Sequence, residues 1–199
     1  LKKVARSYSN MVMIDRKEEV GCDIVLENHR ENAYNLVSWL LKNKPCCQVL
    51  MLFGWIDSFN TRMCMEGSDQ AFAEAGKPEE EILRVITSRR IDIVVDALAQ
   101  FSKRIQKGQR PLIVAFGSDI LEYVAMEIHR SYPEWIGNVD VAGFAQAGTA
   151  EKLGMQCSLV IKNPEAVGIT AAELLHKKIE EEKKEEAPKL YDIKVQYRF

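Results

Sequence analysis

The chain is built from six segments in fixed order, whose regular unit is a short apolar run passing directly into a stretch with apolar residues every three or four positions. They are Met11–Arg16, Asp23–Leu41, Gln48–Ala75, Pro111–Ile128, Val139–Phe144 and Leu159–Leu175. A strand followed by an amphipathic helix, repeated, buries itself only as a parallel sheet with helices on both faces, so the fold class is α/β. In such sheets ligands collect beyond the carboxyl ends of the strands, and the functional residues are sought there.

Asn10–Ile14 and Asp23–Leu26 read as strands. Ala33, Leu36, Val37, Leu40 and Leu41 then mark one face of a helix that Pro45 stops. Gln48–Phe53 is a continuous apolar strand, buried on both faces, and a loop through Gly54–Ser58 leads to a helix over Thr61–Ala75 closed by Gly76. Lys77–Glu81 is a polar connection before the strand Ile82–Ile86 and a helix over Ile91–Gln106 ended by Gly108. Leu112–Phe116 is a further strand, after which Ser118 is placed to cap a helix reaching Tyr132 and Pro133. Val139–Phe144 and Ser158–Ile161 follow as strands, and Asn163-Pro164-Glu165 combines a cap, a tolerated first-turn proline and an acid at a helix's positive end. That helix drifts into the mixed-charge run Lys177–Glu186 and ends by Pro188, and Leu190–Phe199 alternates as one terminal edge strand.

Composition removes several function classes. With 199 residues and a net charge of −2, the chain can bury a full core but carries no basic stripe interleaved with aromatics, so it does not itself bind nucleic acid. No apolar run is long enough to span a membrane, and Leu1-Lys2-Lys3-Val4 lacks the apolar stretch of a secretory leader, although a start without Met leaves a removed leader open. The five cysteines, Cys22, Cys46, Cys47, Cys64 and Cys157, are odd in number and without CxxC spacing, which fits reduced thiols in a cytoplasmic protein. His29, His129 and His176 fall on different helices with no partner at ligand spacing, so no metal site is expected. No GxSxG elbow, Walker loop or GxGxxG follows a strand; neither a cofactor nor a catalytic residue is expected, and the chain is read as a non-enzyme.

The order MVMIDR, DIVLENHRENAYNLVSWLL, QVLML, FNTRMCMEGSDQAFAEAG, RPLIVAFGSDILEYVA, VDVAGF and LVIKNPEAVGITAAELL resembles the effector-binding domain of the lactose-repressor/galactose-repressor transcription factors, which is periplasmic-binding-protein-like. The resemblance runs from about residue 8 to the end and rests on the concatenation, since no single motif is specific. It implies two α/β lobes joined by three crossing segments. Residues 29–160 would form the second lobe, and residues 1–28 with 161–199 a first lobe on the dimerisation side. The crossings would lie near Glu27-Asn28, Gly143–Gln146 and Ile161–Asn163, with Glu27, Asn28, Ala145 and Asn163 as hinge residues. The first βα units of that lobe and the helix-turn-helix that precedes them in the family are not in this sequence.

The family's ligand anchors are replaced here. An arginine three residues before the glycine of an RLxG-like pattern falls on Cys64, ahead of Gly67; Arg62 lies about 200° away on a helix and reads more readily as a solvated or interlobe side chain than as the anchor. The Asn of an Ala-Asn-Asp segment falls on Ser118, followed by Asp119, where helix capping is an equal explanation. An Asp after Gly-Phe/Tyr falls at Ala145 and Gln146, so the carboxylate that suits polyol hydroxyls is gone and a hexose or pentose is disfavoured. Trp55, Asp57, Ser58, Phe59 and Ile91 complete the candidate ligand-binding set with Arg62, Cys64, Ser118, Asp119 and Gln146.

The resemblance implies a sugar-like effector held between lobes, a homodimer, and DNA contact only through a domain outside this chain. A transporter's solute-binding protein, or a sensor module fused to a signalling output, shares the fold and stays open as the alternative.

Overall fold

The structure, a computed structural model, describes residues 10–17, 21–44, 46–180 and 187–199, and of residue 150 the backbone alone. Residues 1–9, Pro45 and 181–186, and with them the Leu1–Val4 start, the expected helix stop and the end of the charge run, lie outside the described residues. Contacts divide the chain into two compact units, Leu1–Asn28 with Asn163–Val195, and His29–Lys162 with Gln196–Phe199.

In the smaller unit β1 (Val12–Ile14), β2 (Asp23–Leu26) and β8 (Leu190–Asp192) form a parallel sheet in the order β1-β2-β8. Helix α6 (Pro164–Glu180) packs Val167 and Ala171 on Val25, with Val12, Leu174, Tyr191 and Ile193 around them. The expected cap is present: Asn163 Oδ1 accepts the amide of Ala166 at 3.1 Å. Buried Asp23 accepts the Lys189 amide at 2.8 Å and meets Lys178 Nζ at 2.9 Å, tying β2 to the far end of α6 and the start of β8.

The larger unit comprises α1 (His29–Asn43), β3 (Val49–Phe53), α2 (Phe59–Glu74), β4 (Ile82–Ile86), α3 (Ile91–Ser102), β5 (Leu112–Ala115), α4 (Ser118–Ser131), β6 (Asp140–Ala145), α5 (Thr149–Leu153), β7 (Cys157–Ile161) and β9 (Gln196–Arg198). Its sheet runs β4-β3-β5-β6-β7-β9, parallel except for β9, which is antiparallel at the edge beside β7. All five residues of β3 are fully buried, as a strand covered on both faces requires. Leu50, Leu52, Ile113 and Ala115 form one core with Val94, Leu98 and Phe101 of α3 and Ile120, Leu121 and Val124 of α4. The alternate strand residues point to the other face by the period of two, and Ala33, Leu36, Val37 and Leu40 of α1 are fully buried. Helices α1 and α2 approach closely at Gly67, where an added Cβ would lie 2.0 Å from the carbonyl oxygen of Arg30.

Four expectations are corrected. Helix α3 stops at Ser102, not Gln106, because the Ser102 hydroxyl donates back to the Ala99 carbonyl at 2.9 Å and Arg104 and Ile105 close tight turns instead. Ser118 does not cap α4: it is the first helical residue, the cap position belongs to Gly117, and the Asp119 carboxylate folds back over that glycine, 2.9 Å from where its Cβ would be. The terminal segment is not one strand but two, β8 and β9 in different sheets; alternation fixes which side chains share a face but not which sheet edge accepts them. Ala145 is no crossing or hinge residue, since β6 stays in register with β7 through the pair Ala145↔Ile161 and Ala145 is fully buried. The chain changes unit between Asn28 and His29, Lys162 and Asn163, and Val195 and Gln196.

Candidate functional site

In the larger unit the carboxyl ends of β4, β3, β5 and β6 lie side by side, and each runs into a loop that carries polar or aromatic groups. Beneath the loops lies a train of rings. Phe53, the last residue of β3, stacks on Phe116 at 5.0 Å between centroids, Phe116 meets Phe144 edge-on at 5.2 Å, and Phe144 stacks on His29 at 6.0 Å. These contacts fix the floor on which the loops stand.

The loop after β3 presents Trp55 at 54% exposure, with Asp57 exposed beside it and Ser58 and Phe59 half-buried. The amide of Ser58 donates to the carbonyl of Trp55 at 3.0 Å, closing the turn, and Arg62 Nη1 donates to the carbonyl of Asp57 at 3.0 Å. Arg62 therefore braces the loop from an exposed position, whereas Cys64 is buried at 3%, which is the divergence that 3.6 residues per turn imposes on positions two apart.

The loop after β4 carries the group that sequence reasoning missed. Ser88 and Arg89 both adopt positive φ, 49° and 59°, and the amide of Arg90 donates to Thr87 O at 2.9 Å, so the chain turns on two left-handed residues of which neither is glycine. Each costs about 1–2 kcal/mol relative to an ordinary conformation. Buried Thr87 anchors the turn through its hydroxyl, which donates to Phe53 O at 2.8 Å and accepts the amide of Arg89 at 3.1 Å. The outcome is that the Arg89 guanidinium lies over the Trp55 ring, 5.0 Å from its centre, with Nη1 3.5 Å from Asp119 Oδ2. The adjacent Arg90 is engaged elsewhere, as its guanidinium binds Asp92 and holds that carboxyl below the usual range. Two arginines directly after a strand, at the carboxyl edge, were the available signal.

Of the remaining expected residues, Asp119 sits half-buried in the first turn of α4, Ser118 beside it is half-buried, Ile91 is exposed at the start of α3, and Gln146 is exposed after β6. The structure thus brings Trp55 and Asp119 together through Arg89 and leaves Cys64 shut in. Glu27, Asn28 and Asn163 belong to the smaller unit, where the Glu27 carboxylate accepts the amide of Asn163 at 2.6 Å and Asp192 accepts that of Asn28 at 3.1 Å. Among the described residues no group of three or more His, Cys, Asp and Glu side chains is placed to hold a metal ion. No helix among them is long and apolar enough to cross a membrane.

A cleft of about 680 Å³ lies at the opposite, amino end of β6 and β7, lined by Lys44, Arg110, Asp140, Cys157, Arg198 and Phe199 among others. Its cations are already matched: Arg110 grips buried Asp140 through two hydrogen bonds at 2.6 and 3.1 Å, Lys44 approaches the same carboxylate at 3.5 Å, and Arg198 pairs with Glu151 at 3.0 Å.

Neither a protein-family profile nor a curated protein matches the chain. Solved structures do. A LacI-family transcriptional regulator from Enterococcus faecium with bound ribose superposes with a TM-score of 0.76 at 15% identity, covering 94% of this chain and 68% of that one. The Cra transcriptional dual regulator from Pseudomonas putida in complex with fructose 1-phosphate gives 0.76 at 16% identity, with 95% and 68% covered. The chain has the fold of these regulators. A transporter solute-binding protein from Burkholderia graminis in complex with D-arabinose shares it, with a TM-score of 0.80, 15% identity and coverage of 99% and 69%. The neighbours are regulators and solute-binding proteins, not enzymes, and the parallel sheets flanked by helices are the periplasmic-binding-protein-like arrangement expected from the order of the segments.

Proposed function

We propose that this chain is the ligand-sensing domain of a transcriptional regulator, taking a small molecule at the carboxyl edge of the six-stranded sheet and passing its occupancy to a DNA-binding domain outside the chain. The observation that carries the reading is the clustering on that one edge of aromatic and polar side chains, exposed at Trp55, Asp57, Arg62 and Gln146 and half-buried at Ser58, Ser118 and Asp119. Regulators of the same fold hold ribose and fructose 1-phosphate. An effector that binds one arrangement of the protein better than another shifts the population between them, and a homodimer in the cytoplasm would convert the shift into altered operator affinity.

The test is thermal unfolding of the chain with ribose, D-arabinose, fructose 1-phosphate and cellobiose. A true effector at a hundred times its Kd stabilises by about 2.7 kcal/mol, a rise of roughly 5–10 °C for a chain of this size. Binding, followed by ligand-dependent DNA affinity of the intact protein, supports the reading; flat melting temperatures across the panel count against it. The arabinose-bound protein of Burkholderia graminis favours a second reading, a transporter's solute-binding protein. That reading requires ligand binding with export of the intact protein and no DNA affinity.

A further inference from the structure

Arg89 does not reach its place by default. Two successive left-handed residues that are not glycine aim it, a buried threonine anchors the turn, and an aromatic face lies under the guanidinium while half of its side chain stays exposed. Strained backbone that is held in place from outside gathers at ligand clamps and active sites, and here it stands at the carboxyl edge of the sheet.

From this geometry we propose that Arg89 is the recognition group of the site and that the effector is a small organic anion, a carboxylate or phosphate ester, instead of a neutral sugar. The inference deepens the ligand-sensing reading and rests on it. The guanidinium presents a planar set of donors matched to two oxygens of one anion, and it lies 5.0 Å from the centre of the Trp55 ring with about half of its side chain open to solvent. Its present partner is weakly held: Asp119 stands 3.5 Å away with a third of its side chain exposed, a contact that solvent screens. Asp119 also has a second place to go, because it lies in the first turn of α4, where the helix end favours negative charge whether or not Arg89 is present. An anion can therefore take over Arg89 without stranding the carboxylate. The other side of the inventory agrees. The loop after β6 offers no carboxylate at Ala145 or Gln146, so the acceptors on this edge for a neutral polyol are Asp57 and Asp119, the second of them already facing Arg89.

The experiment compares D-ribose, D-ribose 5-phosphate and D-ribonate, one carbon skeleton with no anion, a phosphate or a carboxylate, at constant ionic strength, followed by tryptophan emission and calorimetry. The expected result is at least about tenfold tighter binding of one of the two anions than of ribose, an emission change that Trp55→Phe removes, and loss of the anion's advantage in Arg89→Gln by roughly ten- to hundredfold. Arg90→Gln, whose side chain is bound to Asp92, keeps it. Equal binding of ribose and the anions, an advantage that Arg89→Gln retains, or no saturable binding of either anion overturns the proposal. Tight binding of ribose that Arg89→Gln leaves unchanged would overturn it while ligand sensing stands; a flat response to these three and to the panel above removes both.

Discussion

Gly67 offers a substitution in which two well-understood effects oppose each other and the structure decides the sign. The residue lies in the interior of α2, where glycine is about 1 kcal/mol worse than alanine, so helix propensity alone makes Gly67→Ala stabilising. Packing says otherwise. The new Cβ would fall 2.0 Å from the carbonyl oxygen of Arg30 and 3.0 Å from the amide nitrogen of Tyr34, both of them backbone atoms of α1. No side-chain rotation relieves the contact; α1 and α2 must separate by more than about 1 Å to restore ordinary van der Waals distances. Overpacking of that kind costs about 1–3 kcal/mol or more, and α1 is held rigidly by Leu36, Val37 and Leu40, all fully buried. A 2.0 Å approach to backbone places the cost in the upper part of that range, about 2–3 kcal/mol, so the net expectation is a loss of about 1–2 kcal/mol, a fall in melting temperature of roughly 2–8 °C. Gly168→Ala is the matched control: it lies on the exposed face of α6 with nothing within 4 Å of the added carbon, and it should gain about 0.4–1 kcal/mol. Urea unfolding followed by circular dichroism reads both. A Gly67→Ala protein as stable as the parent, or more so, refutes the claim that close helix approach dictates this glycine.

Asp23 is expected to make the smaller unit sensitive to acid. Burial by itself would raise its carboxyl, but the Lys189 amide and the Lys178 ammonium outweigh burial and hold the group below its ordinary value. A depressed folded-state carboxyl contributes stability that is complete above the unfolded range and is lost as pH falls through the folded one, so Asp23→Asn should cost about 1–3 kcal/mol at pH 7 and progressively less as the pH is lowered into the acid range. Asn163→Ala removes the cap of α6 and should cost about 1 kcal/mol, with Asn163→Ser nearly neutral, in the same unfolding assay. Burial pushes the Cys157 thiol up to about 11, so that about one molecule in a thousand carries the thiolate at pH 8. Iodoacetamide at that pH should therefore label exposed Cys47 well before Cys157, as peptide mapping over time will read.

The strands were legible in the sequence wherever a short run of apolar and β-branched residues is bounded by charged residues. Asp23–Leu26 and Ile82–Ile86 are observed at the expected bounds, and the β3 segment is buried throughout. Asn163 was legible as a cap because Asn, Pro and Glu in succession satisfy three separate demands of a helix start. Ser118 looked like a cap for a weaker reason, residue type alone, and a neighbouring acid over Gly117 displaced it by one position. The split of the terminal segment between two sheets was not legible, since Leu190–Phe199 alternates equally well against either open edge.

The candidate site fails to announce itself for a related reason. A left-handed turn is visible in sequence when Asn-Gly or Asp-Gly occupies it, because those residues adopt positive φ without strain. Here the same turn is made by Ser88-Arg89, whose local preference is against it, and the conformation is held from outside by the Thr87 hydroxyl on Phe53 and by Trp55 beneath the guanidinium. Resemblance to an anchor on α2 singles out Cys64, with Arg62 beside it, of which the first is buried and the second braces its own loop. If strain at Ser88 is the cost of aiming Arg89, then Ser88→Gly should stabilise the chain by about 1 kcal/mol or slightly more while loosening the guanidinium from Trp55. A gain in melting temperature without any change in Trp55 emission would refute that coupling and show that the ring, and not strain in the turn, keeps Arg89 in place.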